Sequence, residues 1–490
     1  MENLPIPMNS RKKIFANFNF LAVGKLIGDG FSFLLFIVLS RIFGDEGIGQ
    51  YSFAIAYTGF FVVFAEFGLY FFSIKELTRT EPGAQKCFGT ILSLRLILSI
   101  LVLIILLVTL VFLSFSYETK IIIVLIGAYQ IVFTLVEGFV AVFVAREHAS
   151  LAGILESSLR SITALVGIIV AVSGGGLVMV LTTLPLLTCI GLFIAYKMVG
   201  RKYGKIQLDF SLTNIVHTAQ KSIPYAHSSF LYPLASRVDV VFLGFFLGAT
   251  SAGIYNVGYR LVFFLQFFPY FAGVALLPFL SRLAVVSKSQ LSFLYRQAMD
   301  LIVLVGLPVA SGVWLVAPDL IELAFGDGFS ESVIILRILT GLLFLCFLNH
   351  VLATFLMASN RQSERVRCQW GCAWANVGGN FFLIPFLGIY GAAISTVASE
   401  ALLVFLYARL LVESFGWPNI WRKTMVSTVA VAGMCVPFLV FPSISQLLMI
   451  PVAIICYLGI LAMFRDIREN EWPLILSLVR RNSEPLVATD

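Results

Sequence analysis

Twelve ionisable side chains interrupt the apolar runs of this sequence: the cations Lys25, Arg95, Arg160, Arg237, Arg260 and Arg337, and the acids Asp29, Glu66, Glu137, Glu156, Asp239 and Glu400. Each costs about 2.5 to 3.5 kcal/mol at a bilayer centre even on the lenient insertion scale, so each must pair or line a polar interior. Lys25 and Asp29 are four residues apart and share a helix face, as do Glu156 and Arg160. Glu66 and Arg95 stand at equal depth on neighbouring runs, which predicts an interhelical pair. Glu66, Arg95, Glu137, Glu156, Arg160 and Glu400 are read as structural or gating ion pairs, and Arg337, close to the end of a run, as a snorkelling side chain. The remaining cations, Lys25, Arg237 and Arg260, suit an anionic head group such as a phosphate or diphosphate, for which arginine offers planar, bidentate donors. Asp29 and Asp239 beside them are candidate coupling sites for a proton or a sodium ion. Charge pairing as mere scaffolding is the alternative.

Parts for other chemistry are missing. The sequence holds no Gly-x4-Gly-Lys-Ser/Thr phosphate loop, no His-Glu-x-x-His and no Gly-x-Ser-x-Gly, so nucleotide hydrolysis, zinc proteolysis and serine-hydrolase chemistry lack their minimum residues. His148, His217, His227 and His350 do not cluster by spacing, and Cys368 and Cys372 share a helix face without further metal ligands. No cofactor is expected beyond the coupling ion, and no enzymatic activity.

The elements that carry these residues follow from composition. Of 490 residues 59% are hydrophobic and 12% charged, whereas soluble domains carry about 25% charged residues. Fourteen apolar runs of about 20 residues, enough to span roughly 30 Å of hydrocarbon, fill the chain between residues 14 and 464. Among them are 14–40, 47–74, 222–247, 252–281 and 366–387. The expected fold is therefore all-α and polytopic. Met1 to Lys13 is polar and leads into a run long enough to span, with no small-residue cleavage site, so the first helix is expected to be retained.

The formal charge of +7 would fit nucleic acid if the cations were clustered on a soluble face, but they are distributed by side. Alternate connections and the two ends hold 25 of the 33 Lys and Arg, the opposite connections hold Arg41 and Lys120, and the rest lie within helices. The positive-inside rule then puts both termini in the cytoplasm of a multi-pass inner-membrane protein, with no nucleic-acid partner.

The longest basic connection divides the chain into a six-helix lobe at 1–200, a cytoplasmic linker at 201–221, a second six-helix lobe at 222–414, and two further helices with a tail at 415–490. A repeat supports the division. Gly44, Gly49 and Tyr51 recur 204 residues later as Gly248, Gly253 and Tyr255, a Gly-x4-Gly-x-Tyr pattern between the first and second helices of each block. Six-helix blocks repeated in one orientation predict lobes related by an axis along the membrane normal, with charged groups of their first helices facing a cavity between them.

The residues that carry a family resemblance are spread along residues 14 to 414. They include Leu39-Ser40-Arg41-Ile42-Phe43-Gly44, Ala65-Glu66-Phe67-Gly68-Leu69, Leu277-Pro278-Phe279-Leu280-Ser281-Arg282, Leu336-Arg337-Ile338-Leu339 and Gly388-Ile389-Tyr390-Gly391. In order and spacing they resemble bacterial polysaccharide transporters, the O-antigen repeat-unit flippases of the multidrug, oligosaccharidyl-lipid and polysaccharide exporter superfamily. The resemblance implies a fourteen-helix, two-lobe fold that moves an undecaprenyl-diphosphate-linked oligosaccharide to the outer leaflet by alternating access. It further implies that cavity cations hold the diphosphate and that an ion gradient drives the cycle, with Lys25, Arg237 and Arg260 on the comparable helices. Implied partners are the lipid-linked oligosaccharide, membrane lipids, a polysaccharide polymerase and a chain-length regulator. Two alternatives stand beside it: a cation-coupled multidrug antiporter, which mid-depth cations disfavour, and a membrane-embedded glycan-assembly scaffold or enzyme, which the lack of a sizeable outer loop disfavours.

Overall fold

A chain this apolar must satisfy its backbone polar groups internally, and helices do so within one segment. The computed structural model describes residues 8–79, 84–417, 420–441 and 445–464, and among them it contains helices and no strand. In chain order the helices are α1 (Met8–Glu66), α2 (Leu69–Arg79), α3 (Ala84–Phe112), α4 (Tyr117–Ala145), α5 (Ala149–Val172) and α6 (Leu177–Tyr203). Next come α7 (Leu212–Ser236), α8 (Val238–Phe246), α9 (Ala249–Leu265), α10 (Phe267–Val286), α11 (Lys288–Leu315) and α12 (Ala317–Phe325). The last are α13 (Ser330–Ala358), α14 (Gln362–Leu387), α15 (Ile389–Phe415), α16 (Trp421–Val440) and α17 (Gln446–Met463).

Ten spans among the described residues are long and apolar enough to cross a bilayer, or eleven when Ala249–Gly273 and Leu276–Val286, bent by 41°, are taken together. The fourteen expected from the sequence are not reached by that measure, for local reasons. The run expected at 14–40 and most of that at 47–74 fall in α1, kinked at Gly44 with φ +66° and ψ −164°, and the remainder passes into α2 after a break at Phe67 and Gly68, both at positive φ. The run expected at 222–247 is divided between α7, which carries Pro224 and Pro233, and α8. The run at 366–387 falls on α14, where Gln369, Asn376 and Asn380 dilute the apolar residues. Two connections carry helix of their own. The basic linker is helical from Leu212 onward, so its non-helical stretch covers only 204–211. The connection between α11 and α13 contains α12 and a short 3-10 turn at Asp327–Phe329.

By proximity the chain forms two compact units, the first from Met1–Val257, Ala324–Phe329 and Gln369–Ser395, the second from Gly258–Leu323, Ser330–Cys368 and Thr396–Asp490. In the first, Phe88, Phe139, Phe143, Leu155, Leu159 and Val199 form a buried core that joins α3, α4, α5 and α6. In the second, Leu304, Met434, Tyr457 and Leu461 join α11, α16 and α17, and the Tyr457 hydroxyl donates to the Leu304 carbonyl at 2.7 Å.

The repeated glycines meet inside the first unit. Gly44 and Gly248 both lie at positive φ, +66° and +89°, where a Cβ is strained. Gly49 and Gly253 pack against each other: a Cβ on Gly253 would stand 2.9 Å from the Gly49 Cα, and one on Gly49 would meet the Ala249 carbonyl. Tyr51 and Tyr255 are buried beside them, and Asn256 donates to Ser52 Oγ at 2.7 Å. The sequence repeat thus has a structural use, because glycine at both copies lets the two helical hairpins touch backbone to backbone.

Candidate functional site

The first unit brings α1 and α5 together through small residues. A Cβ on Gly24 would stand 3.1 Å from the Gly153 carbonyl oxygen, and one on Gly28 3.1 Å from the Arg160 side chain. Glycines four apart on one helix allow this close approach within a membrane. The approach sets Asp29 against Arg160, Nη1 to Oδ1 3.7 Å, while Arg160 also holds Glu156 of its own helix at 3.2 Å. The guanidinium lies 4.4 Å from the ring centroid of Phe133 on α4, a geometry in which the ring face attracts the cation. The pair of Glu156 and Arg160 is present as the spacing predicts. Lys25 and Asp29, four apart on α1, do not pair with each other: Asp29 turns to Arg160, and Lys25 is exposed with no hydrogen-bond or ion-pair partner among the described residues.

Arg95 on α3 is fully buried and donates from Nη1 to the Thr134 carbonyl of α4, with Gly138 leaving room beside the guanidinium. Its Nε and Nη2 have no hydrogen-bond partner among the described residues. The expected direct pair with Glu66 is absent, because α1 ends at Glu66, and the Glu66 carboxylate accepts from the Gly68 and Tyr70 amides at 2.8 and 3.1 Å. Glu66 and Glu137 still act on Arg95 through their fields. Four carboxylates, Asp29, Glu66, Glu137 and Glu156, therefore share the neighbourhood of two guanidiniums, Arg95 and Arg160, within this unit.

Arg237 does not sit inside a continuous helix as the sequence suggested. It occupies the break between α7 and α8 with φ −139° and ψ −7°, its amide bonded to the Pro233 carbonyl at 3.0 Å. The half-buried guanidinium donates to the Ile55 carbonyl at 3.4 Å, which also accepts from Gln130 at 3.1 Å, and Gly59 lies alongside. No carboxylate stands within ion-pair distance of Arg237 among the described residues. Asp239, buried, accepts from the Tyr255 hydroxyl at 2.5 Å and from the Val240 amide at 2.8 Å, so it tethers the first turn of α8 to α9.

Arg260, on α9, is half-buried and belongs to the second unit. In that unit Glu400 makes no ion pair among the described residues: it accepts from Asn349 Nδ2 at 2.5 Å and lies 3.8 Å from Cys346 Sγ. Arg337 stacks 4.8 Å from the ring centroid of Trp314. Spacing of charged residues alone missed Phe133, Gln130, Tyr255 and Asn349. The Gly24-x3-Gly28 spacing was a visible signal for the approach of α1 and α5, and Tyr255 was already present in the repeat.

Residues 14–284 match the family described as polysaccharide biosynthesis protein. The probable low-salt glycan biosynthesis flippase Agl15 of Haloferax volcanii is 23% identical over 481 residues, 94% of this chain and 98% of that one. The capsular polysaccharide biosynthesis protein CapF of Staphylococcus aureus is 24% identical over 399 residues, 80% of this chain and 97% of that one. Among solved structures, the lipid II flippase MurJ in an inward closed conformation aligns with TM-score 0.77 at 14% identity, covering 92% of this chain and 99% of that one. An outward-facing multidrug resistance MATE transporter of the MOP superfamily aligns with TM-score 0.54 at 14% identity, covering 85% and 95%. The fold is that of these transporters.

Proposed function

The chain belongs to the polysaccharide biosynthesis protein family and crosses the membrane several times, and from that premise we propose that it flips undecaprenyl-diphosphate-linked oligosaccharide repeat units across the cytoplasmic membrane. Movement by alternating access would supply precursors of a surface polysaccharide, beside a polymerase and a chain-length regulator. Relatives named as a glycan biosynthesis flippase and a capsular polysaccharide biosynthesis protein, each matched over nearly its whole length, support the reading.

The observation that carries it is Arg237, a half-buried guanidinium at the break between α7 and α8, with a carbonyl at 3.4 Å and no carboxylate within ion-pair distance among the described residues. An unneutralised cation there is stabilised by an anionic head group and repels the organic cations a multidrug antiporter would carry. Lys25, which makes no ion pair among the described residues, and Arg260 are the further proposed contacts of the diphosphate. Asp29 is the proposed coupling site, since four carboxylates near two guanidiniums leave negative charge that a bound proton or sodium ion would compensate; Asp239, tethered to Tyr255, is the second.

Replacing the chromosomal copy with Arg237→Ala tests the assignment. Surface polysaccharide should be lost at unchanged protein level and retained in Arg237→Lys, while full export by Arg237→Ala would sink it. The proposed orientation, with both termini cytoplasmic, is checked by thiol labelling of Asp45→Cys and Asp327→Cys from the outer face. Protection of both would reverse it.

A further inference from the structure

A second concentration of charge lies away from these residues, at the end of the first unit where α4 and α6 stop and α3 begins. There Lys86, Arg146, Tyr203 and Gln207 border a cavity of about 390 Å³ whose floor includes Val142 and Val199, within the range of about 300 to 1,000 Å³ typical of small-ligand sites. No acid lines it among the described residues.

The walls are fixed by contacts rather than by chance closeness. Gln85 Nε2 donates to the Tyr203 carbonyl, and Gly89 on α3 abuts the Gln207 carbonyl so closely that a Cβ would not fit. Asp209 fastens the segment after α6 to α3, its amide donating to Ser93 Oγ at 3.1 Å and its carboxylate accepting from Thr90 at 3.2 Å. Tyr203 is held by His148, hydroxyl to Nδ1 3.1 Å, and the same nitrogen lies 2.7 Å from the Arg146 carbonyl. Lys202 stands 6.0 Å from the Tyr203 ring centroid.

Arg146 is the informative residue. It caps the C-terminus of α4 through its backbone, yet its half-buried guanidinium has no hydrogen-bond or ion-pair partner among the described residues. Arg361, which also follows a helix end, is by contrast held by Glu364 at 2.6 Å and Glu413 at 3.3 Å. Lys86, exposed at the rim, makes no ion pair either, although its field reaches Asp209. Two cations with no ion pair among the described residues, beside the apolar Val142 and Val199, fit an amphiphile: a phosphodiester against Lys86 and Arg146, and a glycerol with its first methylenes against Val142 and Val199.

We infer that this cavity binds the head group of an anionic phospholipid. The site is independent of the flipped substrate, because it includes neither Lys25, Arg237 nor Arg260. Basic pockets between spanning helices are suited to such head groups, each cation near the surface strengthening binding about fivefold.

Native mass spectrometry of the purified full-length protein, titrated with phosphatidylglycerol, phosphatidylcholine or inorganic phosphate, tests the inference. Wild type should retain phosphatidylglycerol in preference to phosphatidylcholine. Lys86→Gln with Arg146→Gln should weaken that retention about thirtyfold, the product of the two charges, while Lys86→Arg with Arg146→Lys should preserve it. Equal retention by wild type and the glutamine variant overturns the proposal, as does saturation by inorganic phosphate without preference for the lipid. Should the glutamine variant not fold, a phosphatidylglycerol with a photoreactive head group decides on wild type alone. Crosslinks at 85–88 or 203–207 support the site, and crosslinks confined to other segments overturn it.

Discussion

Arg160 holds Asp29 of α1 and Glu156 of its own helix and rests on Phe133, so one side chain ties three helices together. Removing it leaves two carboxylates facing one another in a low-dielectric setting, where stripping one partner from a buried pair costs about 3 to 5 kcal/mol. Partial exposure, 23% of the side chain, places Arg160→Ala near or below the lower figure. Thermal unfolding of the purified protein should show a clear loss for Arg160→Ala and a smaller one for Asp29→Asn. Equal stability of Arg160→Ala and wild type would contradict the bridging role. The pair within α5 was legible from a spacing of four, since a helix fixes which residues are neighbours. The choice of Asp29 for Arg160 over Lys25 was not, because it depends on how close α1 comes to α5, and Gly24, Gly28 and Gly153 set that distance without carrying charge. Glu66 was misread for a related reason. Its position reads as mid-helix, but α1 stops there, and the free amides of Gly68 and Tyr70 donate to its carboxylate in place of Arg95.

Helices are placed here by their interruptions as much as by their apolar runs. Pro233 lies in the last turn of α7 and lacks the amide that would bond back to residue 229, and the helix breaks four residues further on, at Arg237 between α7 and α8. Both were visible in the sequence, but an apolar count over 222–247 passes across them. The contact between Gly49 and Gly253 gives a sharper expectation: Gly253→Leu must drive a side chain into the Asp45 carbonyl and the Gly49 backbone, which stand 2.5 and 2.8 Å from the Cβ position. Overpacking of a filled contact costs about 1 to 3 kcal/mol or more. Lower melting temperature is expected for Gly253→Leu, and no change would show that the hairpins are not in contact. The segment after α6 carries a pH dependence. The Ser211 amide, Asn214 and Thr90 donate to the Asp209 carboxylate at 2.9, 2.7 and 3.2 Å and hold its pKa below the usual value. Folded protein thus keeps the carboxylate at lower pH than the unfolded chain, whose aspartates titrate near about 3.9. The stabilisation is complete above that value and is lost as pH falls through the lower folded one. Amide exchange at Ser211 should accelerate across that acid window in wild type and not in Asp209→Asn.

At the scale of the whole chain, composition was sufficient for the solvent and the fold class, since a chain 59% hydrophobic and 12% charged has few ways to satisfy its backbone outside lipid-spanning helices. The order of family-like residues pointed to polysaccharide transporters, and the match over residues 14–284 places the chain among polysaccharide biosynthesis proteins. Counting helices was less secure, because α1 joins two expected spans and α14 is too polar to pass as one. The central claim is that the protein carries a lipid-diphosphate oligosaccharide across a bilayer and that Arg237 takes part. Its most direct measurement is translocation of a fluorescent undecaprenyl-diphosphate oligosaccharide in vesicles reconstituted with purified protein. Wild type should move the lipid from one leaflet to the other, and Arg237→Ala, present in equal amount, should not. Transfer no faster with wild type than in protein-free vesicles, in membranes where a control flippase is active, would contradict it.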